Sequence, residues 1–184
     1  RIMQNLIHKK KEEEKRLKAL AEYRILGTKP ESCYDDITKI AASTCDVPIS
    51  LMTLVDRDKQ WFKSKVGLEI QETRRDWSFC THAIKENSPL IIKDAFQDER
   101  FINNPLVEGD PKIRFYAGFP LRNQDGNKLG TLCVIDRKPG DLSPKQYNVM
   151  ELLSRQIVSF LELRKKSLNL LEALSNLHKQ EGIL

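Results

Sequence analysis

Cys80 and His82, near the middle of this 184-residue chain, are of the types that serve as nucleophile and general base in cysteine hydrolases. They stand two positions apart, and residues two apart on a helix do not face each other, so thiol and imidazole are not expected to meet. Ser78 opens the same segment. At a helix start the N–H groups of Phe79 and Cys80 would be free, and with Arg74 and Arg75 upstream they suit an anion such as a phosphate. Plain helix capping accounts equally well for the serine. Phe79, Phe101, Phe115 and Tyr116 offer rings that stack on a planar ligand or fill a core. Thr131 and Cys133 fall on one face of a strand whose other face carries Leu132 and Val134, so the small polar pair is expected to floor a pocket, with Thr53 beside it. Asp98 and Arg100 lie in an irregular stretch, where the carboxylate either accepts from a ligand amino group or pairs with the arginine. The paired carboxylates Asp35-Asp36 and Asp56 with Asp58 sit at a helix start and a turn, the ordinary places for solvated Asp. No phosphate-binding glycine loop, zinc-protease motif or nucleophile elbow occurs, and no catalytic residue is assigned.

The elements that must position these residues follow from periodicity and punctuation. Residues 2–26 read as a helix ended by Gly27, with an unbroken polar run from His8 to Arg16 that is solvated or lies along a partner helix. Thr28, Pro30 and Glu31 suit the cap and first turn of a second helix, which carries Tyr34, Ile37, Ile40 and Ala41 on one face and runs to about Cys45. Strands are expected over 48–56, 60–66, 90–92, 113–121 and 128–136, with turns at 56–59 and at Asp125-Gly126. Residues 67–77 read as a polar loop, 79–85 as a short helix, and 94–111 as irregular. Ser143, Pro144 and Gln146 open a last helix that meets no breaker before Gly182. Its first half can pack on the sheet through Val149, Leu152, Leu153, Ile157 and Leu161. In its second half Leu163, Leu170 and Leu177 recur at sevens with Leu174 between, a short coiled-coil seam. The expected fold is α+β: a central antiparallel sheet, helices on one face, a small-molecule pocket on the other, and long helices at both ends.

Composition narrows the class. Apolar residues at 40% and charged residues at 31% exclude a disordered tail or a fibrous repeat, and no apolar run approaches the roughly 18 residues that cross a bilayer. The first residues form no signal peptide, and a chain beginning at Arg1 reads as one module of a larger protein. Of the net charge of +5, residues 1–16 supply +3 and residues 161–184 supply +1, leaving +1 for the centre. Basic residues gathered at two ends, not on one face, argue against nucleic acid. The cysteines at 33, 45, 80 and 133 have no metal-site spacing, and without a secretion signal they are expected to be reduced and the protein cytoplasmic, with no metal and no membrane contact.

Six stretches in register resemble a GAF domain, over about residues 17–165. They are Tyr23-Arg24-Ile25-Leu26 with Pro30-Glu31; Leu54-Val55-Asp56 with Gln60-Trp61-Phe62-Lys63-Ser64; Asp76-Trp77-Ser78-Phe79-Cys80-Thr81-His82-Ala83-Ile84; Asp98-Glu99-Arg100-Phe101 with Asn104-Pro105-Leu106-Val107; Ile113-Arg114-Phe115-Tyr116-Ala117-Gly118; and Gly130-Thr131-Leu132-Cys133-Val134-Ile135-Asp136. The chain is similar to the bacterial subgroup found upstream of GGDEF diguanylate cyclase or histidine kinase domains. The resemblance implies a PAS-like sensory fold that is not itself an enzyme, binds a cyclic nucleotide (cAMP ahead of cGMP) and regulates a C-terminal output domain as a homodimer held by its terminal helices. The corresponding segments are 1–27 for an N-terminal signalling helix, 28–162 for the ligand-binding domain and 163–184 for a linker helix. The implied ligand residues are Thr53, Ser78, Phe79, Cys80, Asp98, Arg100, Phe101, Phe115, Tyr116, Thr131 and Cys133. The subgroup's usual Thr-Pro-Arg-Asp is here Thr73-Arg74-Arg75-Asp76, and losing the proline is expected to leave this loop more mobile and more basic. Bilin-binding members place a histidine directly after the attachment cysteine; Thr81 intervenes here, which disfavours a bilin. A free methionine sulfoxide reductase using Cys80 and Cys133, and a ligand-free dimerisation module, are the alternative readings. Two buried thiols acting as small hydrophobes would also satisfy the sequence.

Overall fold

The computed structural model describes residues 2–182; Arg1, Ile183 and Leu184, which the expected terminal segments include, lie outside the described residues. The chain runs α1 (Ile2–Glu22), α2 (Ser32–Cys45), β1 (Ile49–Val55), β2 (Lys59–Val66), β3 (Glu72–Arg74), α3 (Phe79–Ala83), β4 (Leu90–Ile92), α4 (Pro105–Glu108), β5 (Phe115–Arg122), β6 (Lys128–Asp136) and α5 (Pro144–Gln180). The six strands form one antiparallel sheet in the order β3-β2-β1-β6-β5-β4. The fold is therefore α+β, as the order of elements implied. No helix among the described residues is long and apolar enough to cross a membrane.

Strand alternation sorts the side chains into two cores. Met52, Leu54, Phe115, Ala117, Phe119, Leu132 and Val134 meet α1, α2 and α5 on one face. Leu51, Val55, Tyr116, Cys133 and Ile135 point to the other face, under α3, α4 and the irregular stretch. Both faces are covered, so all seven residues of β1 are buried.

β3 was not expected, because Glu72-Thr73-Arg74 has no apolar signature. It is a polar edge strand paired to β2 through Lys59↔Arg74, Gln60↔Thr73 and Trp61↔Glu72. The start of α2 also differs. Thr28 does not cap it; its hydroxyl donates to the Ile25 carbonyl at 2.6 Å and accepts from the Lys63 ammonium at 2.8 Å. The Lys63 side chain is wholly buried, and the connection 28–31 is drawn onto β2 to satisfy it, with the Glu31 carboxylate at 2.6 Å and the Lys29 carbonyl as further acceptors. Helix α2 then starts at Ser32, burying Tyr34, Ile37 and Ala41 but leaving Ile40 about half exposed.

Helix α5 has the expected capping box, with Gln146 N–H donating to Ser143 Oγ at 3.1 Å and Ser143 N–H to Gln146 Oε1 at 2.8 Å. Its buried stripe is Met150, Ser154, Ile157 and Leu161, whereas Leu152 is exposed and Val149 and Leu153 are half-buried; the first half of the stripe is displaced by one residue, about 100° around the helix, from the expected set. Beyond Leu161 the leucines at 163, 170, 171, 174 and 177 are exposed, as are Ile2, Met3, Leu6 and Ile7 of α1.

β6 lies close against β1 at Gly130, where a Cβ would stand 1.9 Å from the Thr53 carbonyl oxygen. Because the obstacle is backbone of a central strand, no rotamer change relieves it. Gly130→Ala should cost about 2–3 kcal/mol, a fall of roughly 5–10 °C in thermal midpoint by circular dichroism. An unchanged midpoint would refute this account of the β1–β6 packing.

Candidate functional site

The pocket-side face of the sheet lies at the base of a narrow cavity of about 20 Å³, room for little more than one water molecule. β1 contributes Leu51, β2 Gln60 and Phe62, β5 Tyr116, and β6 Cys133 and Ile135. Phe79 and Cys80 of α3 and Leu106 of α4 close it on the other side, with Leu68, Ile70, Thr73, Pro111 and Ile113 at its edges. The lining is apolar except for Gln60, Thr73 and the sheet-side groups. Even these are paired: Gln60 Nε2 donates to Thr73 Oγ1 at 2.7 Å, and Ser78 Oγ donates to Gln60 Oε1 at 2.7 Å. Ser78 is fully buried and also caps α3 by accepting from Thr81 N–H at 3.1 Å.

Polar groups converge at the cavity's floor on the Cys80 sulfur. Thr131 Oγ1 donates to it at 3.1 Å and Tyr116 Oη at 3.2 Å. Thr53 Oγ1 and Thr131 Oγ1 are 3.1 Å apart on neighbouring strands. Burial pushes the Cys80 thiol up, but hydrogen bonds from the side chains around its sulfur outweigh it and hold it below the ordinary thiol range. Cys133 moves the other way, raised by burial and by its contact with Cys80. Tyr116 reaches the sulfur because it lies across Gly118, two residues on along the same face: a Cβ there would be 2.1 Å from the tyrosine hydroxyl. His82 takes no part. Its ring meets Phe101 edge-on at 4.8 Å, and burial, then the charges of Lys85 and Arg100, lowers its pKa.

Of the implied ligand residues, Phe79, Cys80, Tyr116 and Cys133 line the cavity. Thr53 and Thr131 lie beneath, behind the sulfur. Phe101 stacks behind Phe79 at 4.0 Å and Ser78 stands behind Gln60, so both support the wall without forming it. Phe115 is on the opposite face, in the helix-side core. It precedes Tyr116 on one strand, so the two rings cannot share a pocket. Asp98 and Arg100 also lie outside the lining, paired with each other at 2.6 Å. Arg74 is paired with Asp76 at 2.6 Å, and Arg75 with Glu13. The segment expected to be mobile and basic is thus tied down by strand pairing and carboxylates. Leu51, Gln60, Phe62, Ile135 and the 106–113 residues were not singled out from sequence. For Leu51 and Ile135 the signal was present, since they share the period-two face of Thr53 and Cys133; for Leu106 and Pro111, which approach only through an irregular segment, there was none. Among the described residues no group of three or more His, Cys, Asp or Glu gathers to hold a metal.

The arrangement of a sheet, a short helix laid over one face and long terminal helices against the other can be set beside known proteins. A family model described as GAF domain matches residues 29–160. The chain belongs to the GAF family. Over 130 residues this GAF domain is 40% identical to a cyclic di-GMP phosphodiesterase of Pseudomonas aeruginosa, a match covering 70% of this chain and 22% of that protein. The chain thus spans about a fifth of the length of the curated relative it matches. Among solved structures it is similar to the GAF domain of an Acinetobacter phosphoenolpyruvate-protein phosphotransferase (TM-score 0.59, 16% identity, 84% of this chain and 96% of that one). It is also similar to the free methionine-R-sulfoxide reductase of Neisseria meningitidis (TM-score 0.60, 12% identity, 79% and 87%). At these identities the likeness is one of fold.

A chain of polar contacts ties the cavity wall of the GAF domain to its first helix. Thr81 of α3 donates to the Arg75 carbonyl at 3.1 Å, and the Arg75 guanidinium holds Glu13 of α1 together with the Asp56 carbonyl at 3.1 Å. Arg16 donates to the same carboxylate at 2.9 Å and to the Lys128 carbonyl at 3.3 Å, and Glu14 accepts from Arg57 at 2.7 Å. Burial raises the Glu13 carboxyl, but hydrogen bonds from Arg16 and Arg75 prevail and hold it at about 2 against an ordinary 4.5. Its pKa is depressed in the folded state, so the bridge contributes fully above 4.5 and is lost as pH falls toward about 2. Amide hydrogen exchange in α1 should be faster in Glu13→Gln than in wild type near neutral pH, and the difference should shrink as pH drops through about 4 toward 3. Equal exchange near neutral pH would remove the bridge from the docking of α1.

Proposed function

We propose that this GAF domain is the sensory module of a bacterial signalling protein, taking a small, largely apolar ligand between its sheet and the α3–α4 layer. The observation that carries this reading is the lining: a narrow cavity under α3 and α4 whose walls are mainly aliphatic and aromatic and whose wall polar side chains, Gln60 and Thr73, are already hydrogen-bonded to each other. A ligand there gains chiefly by burying apolar surface. The cyclic nucleotide that the family resemblance implies, cAMP ahead of cGMP, has less support. Its phosphate needs a cation or several free donors, and Arg74, Arg75 and Arg100 are each committed to a carboxylate and stand outside the lining. Free methionine sulfoxide is a zwitterion, and the same walls offer its charges no partner, which argues against the reductase reading.

The domain's role is regulatory, not catalytic, and its place is the cytoplasm. Segments 1–27 and 163–184 flank the ligand-binding domain as signalling helices. Leu163, Leu170 and Leu177 recur at sevens along α5 and are each more than half exposed, which supports a parallel homodimer extending toward a C-terminal output domain. The phosphodiesterase relative supports an output that makes or breaks a cyclic dinucleotide, as a GGDEF diguanylate cyclase does. Ligand occupancy can shift such an output only by favouring one helix arrangement over another, and the Arg75–Glu13 contact is the route from cavity to α1.

Thermal shift against indole, short-chain alkylphenols, cAMP and cGMP tests the reading. At 100 times its dissociation constant a ligand adds about 2.7 kcal/mol. Stabilisation of several degrees by an apolar compound, with none from the nucleotides, is expected. A shift with cAMP or cGMP, or no shift with any compound, would overturn the apolar-ligand assignment.

A further inference from the structure

On the helix side of the sheet, sharing no residue with the lining of the α3–α4 cavity, an open groove of about 320 Å³ lies between β5, the loop before β4 and the N-terminal part of α5. It exists because β4 is short. Pairing of β4 with β5 begins at Leu90↔Gly118, so β5 beyond Gly118 has no strand on its outer side. Asn87 and Pro89 come from the loop, Phe119, Pro120 and Arg122 from β5, and Glu151, Ser154 and Arg155 from α5. The charges gathered there are not neutralised within the chain. Arg57, Arg75 and Arg100, like most arginines of the domain, hold carboxylates, whereas among the described residues neither Arg122 nor Arg155 does. Arg122 makes one long contact, 3.5 Å, to the Asn87 carbonyl. Glu151 and Arg155 stand four apart on α5, an arrangement that ordinarily closes into an ion pair, yet they do not pair. Lys128 faces Arg122 across the β5–β6 pair, and burial, then the charge of Arg122, lowers its pKa against the opposing pull of Glu86. An anion at this place would relieve that crowding of cations.

We propose that this groove is a second binding site, for a free α-amino acid with an apolar side chain. The guanidinium groups of Arg122 and Arg155 hold its carboxylate, since their planar forks match a carboxylate's two oxygens. Glu151 holds its ammonium, and its side chain lies over Pro89 and Pro120. The spacing suits this head group. Residues four apart on a helix have Cβ atoms about 5–6 Å apart, so Glu151 and Arg155 present opposite charges at a separation that an ammonium and a carboxylate on one carbon can bridge. A phosphate fits less well, because Glu151 repels it, and an uncharged apolar molecule would leave the arginines and the carboxylate without partners. An extended peptide added to the open edge of β5 would meet Pro120, which has no N–H to donate. Because α5 continues into the linker helix, an occupied groove ties β5 and the loop before β4 to the element that leaves the domain. The inference does not require a ligand in the α3–α4 cavity, so it stands or falls apart from the proposed sensory ligand.

The test titrates the purified chain with L-phenylalanine and follows backbone amide resonances by NMR. Amides of residues 119–122 and 151–155 should shift and saturate. 3-Phenylpropionate, which lacks the ammonium, and phenethylamine, which lacks the carboxylate, should each bind at least about 10-fold more weakly at these residues, and inorganic phosphate should not compete. Arg155→Gln and Glu151→Gln replace exposed side chains, so the thermal midpoint should not change, and each should weaken L-phenylalanine about 10-fold. The two variants should differ in what they lose. Glu151→Gln should no longer separate L-phenylalanine from 3-phenylpropionate, and Arg155→Gln should no longer separate it from phenethylamine. No shift at residues 119–122 and 151–155 by about 10 mM L-phenylalanine would overturn the proposal. So would shifts confined to residues of the α3–α4 cavity, equal binding of 3-phenylpropionate or phosphate by the wild-type chain, or variants that bind as wild type does.

Discussion

Coverage of both faces of the central strands is the constraint on which the rest of this structure depends. β1, β6 and β5 lie in the middle of the sheet with helices on one side and a thinner layer on the other. Each buried side chain on them therefore faces one core or the other, and a shift of one residue would exchange the two. The register Thr53↔Thr131 and Gly118↔Cys133 places small groups at the cavity floor. The same register sends Leu132, Val134 and Phe119 to the helices. The cavity exists because the second layer is made of short pieces. A five-residue helix, a four-residue helix and their connections cannot tile a six-stranded sheet without leaving a gap.

Buried polar groups then decide where the flexible connections run. The Lys63 ammonium has no exposure and draws in Thr28, Lys29 and Glu31, which sets the entry to α2. Asn104 caps α4 and also reaches the Trp77 carbonyl at 3.0 Å, joining the two halves of the covering layer. Arg75 does the same for α1. In each case a group that would be costly to leave unpaired recruits backbone from a remote segment, so loops without regular hydrogen bonding still have one position.

These commitments also shape the chemistry of the cavity. The polar side chains nearest its wall are satisfied by each other, and the nearby arginines by carboxylates. Little polar capacity remains for a charged ligand, and the one sulfur at the cavity floor that accepts hydrogen bonds is enclosed by hydroxyls.

Much of this was legible in the chain itself. Ser143-Pro144-Lys145-Gln146 specifies its own helix start because a capping box is a contact among four neighbours. Period-two alternation along 128–136 separates Thr131 and Cys133 from Leu132 and Val134 whatever the rest of the fold does. Alternation also shows that Phe115 and Tyr116 face opposite ways, but which of them faces the cavity depends on where the helices pack. Tertiary structure alone decided the matters that join distant residues: that Glu72-Thr73-Arg74 pairs as an edge strand, that Arg75 is neutralised by Glu13, and that α3 brings Cys80 onto the strand carrying Thr131, 51 positions further on. Those contacts have no local pattern because their free energy comes from burial and charge satisfaction between segments that the sequence does not place side by side.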